Sequence, residues 1–173
     1  MKALVYMFRQ DDPFKCTAAK LVKFRLAQRV TLVPRDCIVL DPFSNIPISK
    51  KDSTVASSVC AIDCSWERAN QVLEEYLYER VAKYGIGRRL PAMLAANPVN
   101  YSKIGKLSSA EALAGSFYIM GDKEKARELM DKFKWGHTFL DLNVNLLQDY
   151  SHAETGDQIL QVEQEYFPEI QFI

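Results

Sequence analysis

The chain reads as an α/β protein, with an N-terminal, mostly parallel sheet flanked by helices and an all-helical C-terminal part. Three observations predict this. Lys2–Phe8, Cys37–Leu40 and Val59–Ile62 are continuous apolar runs, as expected of strands buried on both faces of a parallel sheet. From Ser108 onward, apolar residues recur at helical rather than strand spacing. Between the two halves lies an apolar segment rich in proline and asparagine, Arg89 to Tyr101. These features divide the chain into residues 1–90, an α/β domain, and 91–173, a helical domain.

In order, the first strand ends at Arg9, and Gln10 to Thr17 is loop-like. Thr17 is a candidate N-cap for a helix reaching about Leu26, with Leu21, Val22 and Phe24 on its packing side and Lys20, Lys23 and Arg25 elsewhere. Cys37–Leu40 is closed by Asp41-Pro42, where proline stops ladder pairing. Ser49 to Ser58 has room for a short helix before the third strand, Val59–Ile62. If the three strands run parallel, the loops after Phe8, Leu40 and Ile62 emerge at one sheet edge and line one crevice.

The stretch after the third strand, Asp63-Cys-Ser-Trp66, places a carboxylate and an indole at that edge. Asp63 has two readings, a cap for the next helix or a group in a ligand pocket, and Trp66 either packs the first turn or walls the pocket. Trp66, Ala69, Leu73, Tyr76, Leu77 and Val81 have amphipathic spacing, which predicts a helix ending near Tyr84-Gly85. Gly85 is the first glycine of the chain, so no glycine-rich loop follows an early strand. Dinucleotide folds and phosphate-binding NTPase loops are thereby disfavoured.

In the second half, Ser108-Ser-Ala-Glu111 is a capping box opening a helix to Met120, stopped by Gly121. Further helical patterns cover Ala126 to Phe133, Phe139 to Tyr150 and Asp157 to Phe167. Asn97 precedes a proline, which holds it out of helical conformation with its amide available to a partner.

Composition is that of an ordinary globular protein, 48% hydrophobic and 25% charged, with no apolar run of membrane-spanning length. The N-terminal stretch is too short for a signal peptide and lacks a small-residue cleavage site, so a cytoplasmic protein is expected. Four cysteines lie in the first 64 residues without a Cys-x-x-Cys pair, and both histidines lie far along the chain. Reduced thiols and no metal site are therefore expected. The zero net charge conceals a gradient of +5 over residues 1–58, +1 over 59–103 and −6 over 104–173. Any polyanion-binding face belongs to the N-terminal part.

Several motifs carry a resemblance. Cys16-Thr17 with Lys20-Leu21, Leu40-Asp-Pro42, Asp63-Cys-Ser-Trp66, Arg89-Leu-Pro91, Ala95-Ala-Asn-Pro-Val-Asn-Tyr101 and Leu107-Ser-Ser-Ala-Glu-Ala112 form the first set. Phe133-Lys-Trp-Gly136 and Phe139-Leu-Asp-Leu-Asn143 continue it. Together they resemble the small-subunit (16S/18S) rRNA aminocarboxypropyltransferases, a ribosome-biogenesis family. Trp66 and Leu90 are farther apart than the resemblance implies, and Ser109 stands in place of Thr.

The resemblance implies a SPOUT-like fold with a deep trefoil knot, something no periodicity would suggest. It implies S-adenosylmethionine (SAM) as cofactor and transfer of its 3-amino-3-carboxypropyl arm. The acceptor would be a ring nitrogen (N3) of a modified pseudouridine in small-subunit rRNA, and methylthioadenosine the by-product. Thr17 and Ser109 would hold the methionine carboxylate, Leu40, Pro42 and Trp66 would form an apolar wall, and the backbone of Ile62, Leu90 and Gly105 would bind ribose or adenine. Asp63 would bind the cofactor's positive charge or act as the catalytic base. RNA contact falls to Lys15, Lys20, Lys23, Arg25, Arg29, Lys50, Lys51, Arg88 and Arg89 beside the crevice, with small-subunit rRNA or the pre-ribosomal small subunit as partner. The competing readings are a SAM-dependent rRNA methyltransferase of the same fold and a non-catalytic RNA-binding assembly factor.

Overall fold

A computed structural model describes residues 1–8, 16–63 and 85–169. Its centre is a five-stranded sheet of β1 (Lys2–Met7), β2 (Gln28–Val30), β3 (Cys37–Leu40), β4 (Ser58–Asp63) and β5 (Ile86–Arg88) in the order β2-β1-β4-β3-β5. Every pairing is parallel, as the continuous apolar runs require. The alternation of side chains gives each face its own residues. Ala3, Val5, Ile38, Leu40, Val59 and Ala61 enter the main core, while Leu4, Cys37 and Cys60 form a smaller cluster with Tyr6, Val30 and Val33.

Two strands escape the sequence pattern. β2 and β5 are three-residue edge strands whose periodicity is too short to read, and they exist because β1 and β3 supply a ladder. The third apolar run is longer than predicted, extending to Asp63, which is the last residue of β4 and pairs with Met7. The helix expected from Trp66 to Val81 lies outside the described residues.

Helix α1 (Thr17–Lys23) follows β1, and its cap corrects the sequence reading. The N-cap is Cys16, whose Sγ accepts from the Ala19 amide at 3.2 Å, and Thr17 is the first helical residue. The helix also stops short of Leu26, because Arg25 takes a left-handed φ of 60°. The short helix expected after Ser49 is a 3₁₀ turn over Lys50–Thr54.

The second half holds α2 (Ser109–Ile119), α3 (Lys123–Met130), α4 (Gly136–Leu142), α5 (Val144–His152) and α6 (Gly156–Tyr166). Ser108 and Glu111 form the expected capping box, and Thr155 with Gln158 forms a second. Phe139–Tyr150 is two helices rather than one, separated at Asn143. The buried Asn143 amide donates to the carbonyls of Leu94 and Phe139, both at 2.9 Å, and this local bonding competes with helix continuation.

The segment after β5 joins the two halves and has a period-two logic of its own. Its even residues, joined at the end by Asn97, bond to side chains of the helical half. The Ala92 amide donates to Glu163 at 2.6 Å and its carbonyl accepts from the Tyr150 hydroxyl at 3.0 Å. The Leu94 amide reaches Asn143 Oδ1 at 2.8 Å, and the Ala96 and Asn97 amides reach Glu111 Oε1 at 2.6 and 2.9 Å. Its odd residues face the returning chain, through Ala95 to the Lys103 carbonyl and Gly105 to the Met93 carbonyl. An extended segment thus satisfies one edge with buried side chains in place of a neighbouring strand. Gly115 in α2 lets it come close, since a Cβ there would lie 2.8 Å from Met93 Cε. Among the described residues no helix is long and apolar enough to cross a membrane.

Candidate active site

The chain leaves β1 toward β2 at one sheet edge and leaves β4 toward β5 at the other, yet β1 and β4 are neighbours. That divergence is a topological switch point, and ligands of open α/β sheets generally bind in a crevice beyond the carboxyl ends of such strands. Asp63 ends β4 at this place, Cys16 and Thr17 begin the helix that follows β1, and the N-terminus of α2 brings Ser109.

Cys16, Asp63 and Ser109 form one hydrogen-bonded group, and Thr17 is bonded to Ala110 beside it. The Ser109 hydroxyl donates to Asp63 Oδ1 at 2.8 Å and the Cys16 thiol donates to Asp63 Oδ2 at 3.1 Å. The Ala110 amide donates to the Thr17 hydroxyl oxygen at 3.3 Å, joining the first turns of α1 and α2. Ser109 spends its proton on Asp63, so a ligand would meet its backbone N–H and lone pairs. Thr17 accepts from Ala110 and retains its own O–H as a donor.

Burial pushes the Cys16 thiol up to about 12, and the hydrogen bond to the Asp63 carboxylate adds to the rise against the opposing Ala19 amide. Cys16 is therefore a thiol and a donor at neutral pH. The expected consequence is inertness: iodoacetamide at pH 8 leaves Cys16 unmodified in the folded protein and labels it on denaturation, as peptide mass spectrometry would read. Labelling of native Cys16 at the denatured rate would show a thiolate instead. Both donors to Asp63 are neutral, and among the described residues no lysine or arginine forms an ion pair with it. A carboxylate held by neutral donors, with no basic partner among the described residues, is suited to attract a cationic ligand.

The other candidate pocket residues fall along the same edge. Leu40 ends β3 and is buried, Pro42 follows it on the surface, Ile62 precedes Asp63, and Leu90 is half-buried just beyond β5. Gly105 is exposed with φ 72°, in the loop leading into α2. Trp66 lies outside the described residues.

The candidate RNA residues divide. Lys20 and Lys23 stand on α1, Arg25 follows it, and Arg29 lies exposed on β2. Lys51 is exposed, Lys50 is held by Glu154 at 2.6 Å, and Lys15 lies outside the described residues. Arg88 pairs with the buried Asp52 at 3.0 Å. Arg89 makes a two-pronged pair with Glu163, itself fully buried, at 3.0 and 2.6 Å. These two guanidiniums are engaged inside the protein, because a buried carboxylate without its cation is expensive.

Sequence reasoning missed Cys16, Glu111 beyond its cap, Asn143, Tyr150 and Glu163. The adjacency of Cys16 to a helix start was a usable signal for the first. The others act on backbone far along the chain, and no local spacing reports that.

A family model described as "Ribosome biogenesis protein, C-terminal" matches residues 38–167. A 16S rRNA aminocarboxypropyltransferase of Thermoplasma volcanium is 42% identical over 171 residues, covering 96% of this chain and 99% of the relative. The chain belongs to the 16S rRNA aminocarboxypropyltransferases. The enzyme of that name from Methanosarcina mazei is 40% identical over 166 residues, covering 94% of this chain and 92% of the relative. A solved structure, described as the SAM-dependent rRNA:acp-transferase Tsr3 from Vulcanisaeta distributa, matches with a TM-score of 0.86 at 37% identity. It covers 96% of this chain and 89% of that one, so the likeness to this aminocarboxypropyltransferase extends over the sheet and the helices alike.

Proposed function

We propose that the protein transfers the 3-amino-3-carboxypropyl group of SAM to N3 of a modified pseudouridine in small-subunit rRNA, releasing methylthioadenosine during ribosome biogenesis. The membership of the chain in the 16S rRNA aminocarboxypropyltransferases supports the reaction class. The observation that carries it to particular residues is Asp63, a carboxylate at the switch point whose only described donors are the neutral Cys16 and Ser109. That arrangement suits a ligand bearing a sulfonium and an ammonium, and the N-terminal turns of α1 and α2 suit its carboxylate.

SAM, when bound, would supply the activated carbon next to its sulfonium, with methylthioadenosine as the leaving group and the N3 proton passing to water. The protein supplies position and charge. Asp63 attracts the cation. Its two hydrogen bonds, from Ser109 to Oδ1 and from Cys16 to Oδ2, fix the orientation of the carboxylate for that role. Thr17 offers a hydroxyl proton, and Ser109 a backbone N–H, to a ligand carboxylate. Leu40, Pro42 and Trp66 form the apolar wall that shields the methyl group, and backbone at Ile62, Leu90 and Gly105 meets the nucleoside. Lys20, Lys23, Arg25, Arg29 and Lys51 provide phosphate contacts outside the crevice.

This reading also includes a SPOUT-like knotted topology, a division into residues 1–90 and 91–173, and a cytoplasmic site of action on the pre-ribosomal small subunit. The test uses SAM labelled separately in its methyl and carboxyl groups, incubated with the protein and small-subunit rRNA. Carboxyl label in the RNA is the expected result. Methyl label would make the protein a methyltransferase, and neither label on a competent substrate would favour a non-catalytic assembly factor.

A further inference from the structure

The loop between Asn97 and α2 shows apolar side chains to solvent from a rigid base. Val99 is 81% exposed, Tyr101 58% and Ile104 40%. Solvent-facing aromatics on mobile loops are unremarked, but this loop is fastened at every turn. Asn97 Oδ1 accepts from the Asn100 amide at 3.0 Å, the Ser102 amide reaches the Ala95 carbonyl at 2.7 Å, and Leu94 and Ile104 form an antiparallel bridge. Two left-handed residues, Ser102 at φ 64° and Gly105 at φ 72°, turn the chain back. At the root, Glu111 holds the Ala96 and Asn97 amides and the Asn97 side chain at 2.6, 2.9 and 2.8 Å.

Charge and position narrow what such an arm meets. Residues 97–106 include Lys103 and Lys106 and no acidic residue, just ahead of the acidic C-terminal stretch. The arm springs from the first turn of α2, where Ser109 touches Asp63 and Ala110 joins α1 with its Lys20 and Lys23. An aromatic face beside cations, with no acids, is what unpaired RNA requires: every base has a face to stack, and every nucleotide a phosphate. A protein partner would be met better by a wider contiguous apolar surface with a mixed-charge rim.

Resting on the proposed action on rRNA, we infer that residues 98–104 are a stacking arm for an unpaired base flanking the modified nucleotide. The Tyr101 ring takes the base and Lys103 takes the neighbouring phosphate. Holding the arm in one conformation before RNA arrives lowers the ordering cost of binding.

The test measures the affinity of Tyr101→Ala, Tyr101→Phe and Lys103→Ala for a small-subunit rRNA fragment by filter binding across salt concentrations. Calorimetric SAM affinity and thermal midpoint are followed alongside. Tyr101→Ala is expected to bind RNA about tenfold or more weakly, with SAM affinity and midpoint at wild-type values, and Tyr101→Phe to retain binding. Lys103→Ala is expected to lower the salt slope by about one. Wild-type RNA affinity in Tyr101→Ala overturns the arm and leaves the transferase reading standing. A parallel loss of SAM affinity or of thermal midpoint overturns it too, by making the loop a wall of the cofactor pocket. Intact binding to naked rRNA with weakened binding to the pre-ribosomal subunit would assign the surface to a protein instead. If the wild type neither binds rRNA nor transfers carboxyl label, the function reading fails and the arm fails with it.

Discussion

Asp63→Asn is expected to weaken SAM binding by about tenfold to a hundredfold, measured by calorimetry. Asparagine keeps the size of the side chain and one acceptor oxygen, and the Ser109 hydroxyl can rotate to accept from the new amide, so the crevice retains its shape. What is lost is the charge. Hydrogen bonds and close contacts to ionised groups contribute about 1.5–3 kcal/mol in mutational series, and each 1.4 kcal/mol is about tenfold in affinity. The simple Coulomb value at 4 Å, about 4 kcal/mol at an effective dielectric of 20, is an upper limit at a crevice open to water. S-adenosylhomocysteine, which lacks the sulfonium charge, should lose less affinity than SAM if the carboxylate faces sulfur. Unchanged SAM affinity with a reduced rate at saturation would reverse the assignment and make Asp63 the base that removes the N3 proton.

Glu111→Ala is expected to destabilise the protein by about 4 kcal/mol, because it orphans several buried donors at once. The Glu111 side chain is fully buried and accepts from the Ala96 amide, the Asn97 amide, the Asn97 side-chain nitrogen and the Ser108 amide, at 2.6 to 2.9 Å. For a chain of this length that loss corresponds to a fall in thermal midpoint of about 10 °C, followed by circular dichroism. Glu111→Gln separates the network from simple burial. A glutamine amide would turn a donor toward donors on one side, so the isosteric variant should also be clearly destabilised, though by less. A change under about 1 kcal/mol in both variants would mean that water replaces the carboxylate easily and that the segment 92–97 does not depend on it.

These two residues show how differently the sequence speaks about them. Asp63 was visible as a carboxylate at the end of an apolar run, and parallel pairing of β1, β3 and β4 places that end at the crevice. Glu111 was visible only as the last letter of a capping box, which accounts for its bond to Ser108 and for none of those to Ala96 and Asn97. Asn97 was expected to have its amide available to a partner, and only the fold shows that the partners are the buried Glu111 and the Lys106 carbonyl. Arg88 and Arg89 read as surface cations, but their carboxylate partners Asp52 and Glu163 lie 36 and 74 residues away along the chain.

The sequence by itself determined the class of fold, the three long strands, the helix start at Ser108 and the family. Each of these depends on local physics: burial on both faces of a strand demands an unbroken apolar run, and a helix end must satisfy its first amides within a few residues. Only the tertiary structure decided the edge strands β2 and β5, the break at Asn143, the cap at Cys16 and the partners of Asp63. A three-residue strand has no period of its own, and a buried polar group is satisfied by whichever donor or acceptor the fold brings alongside, at any separation in the chain.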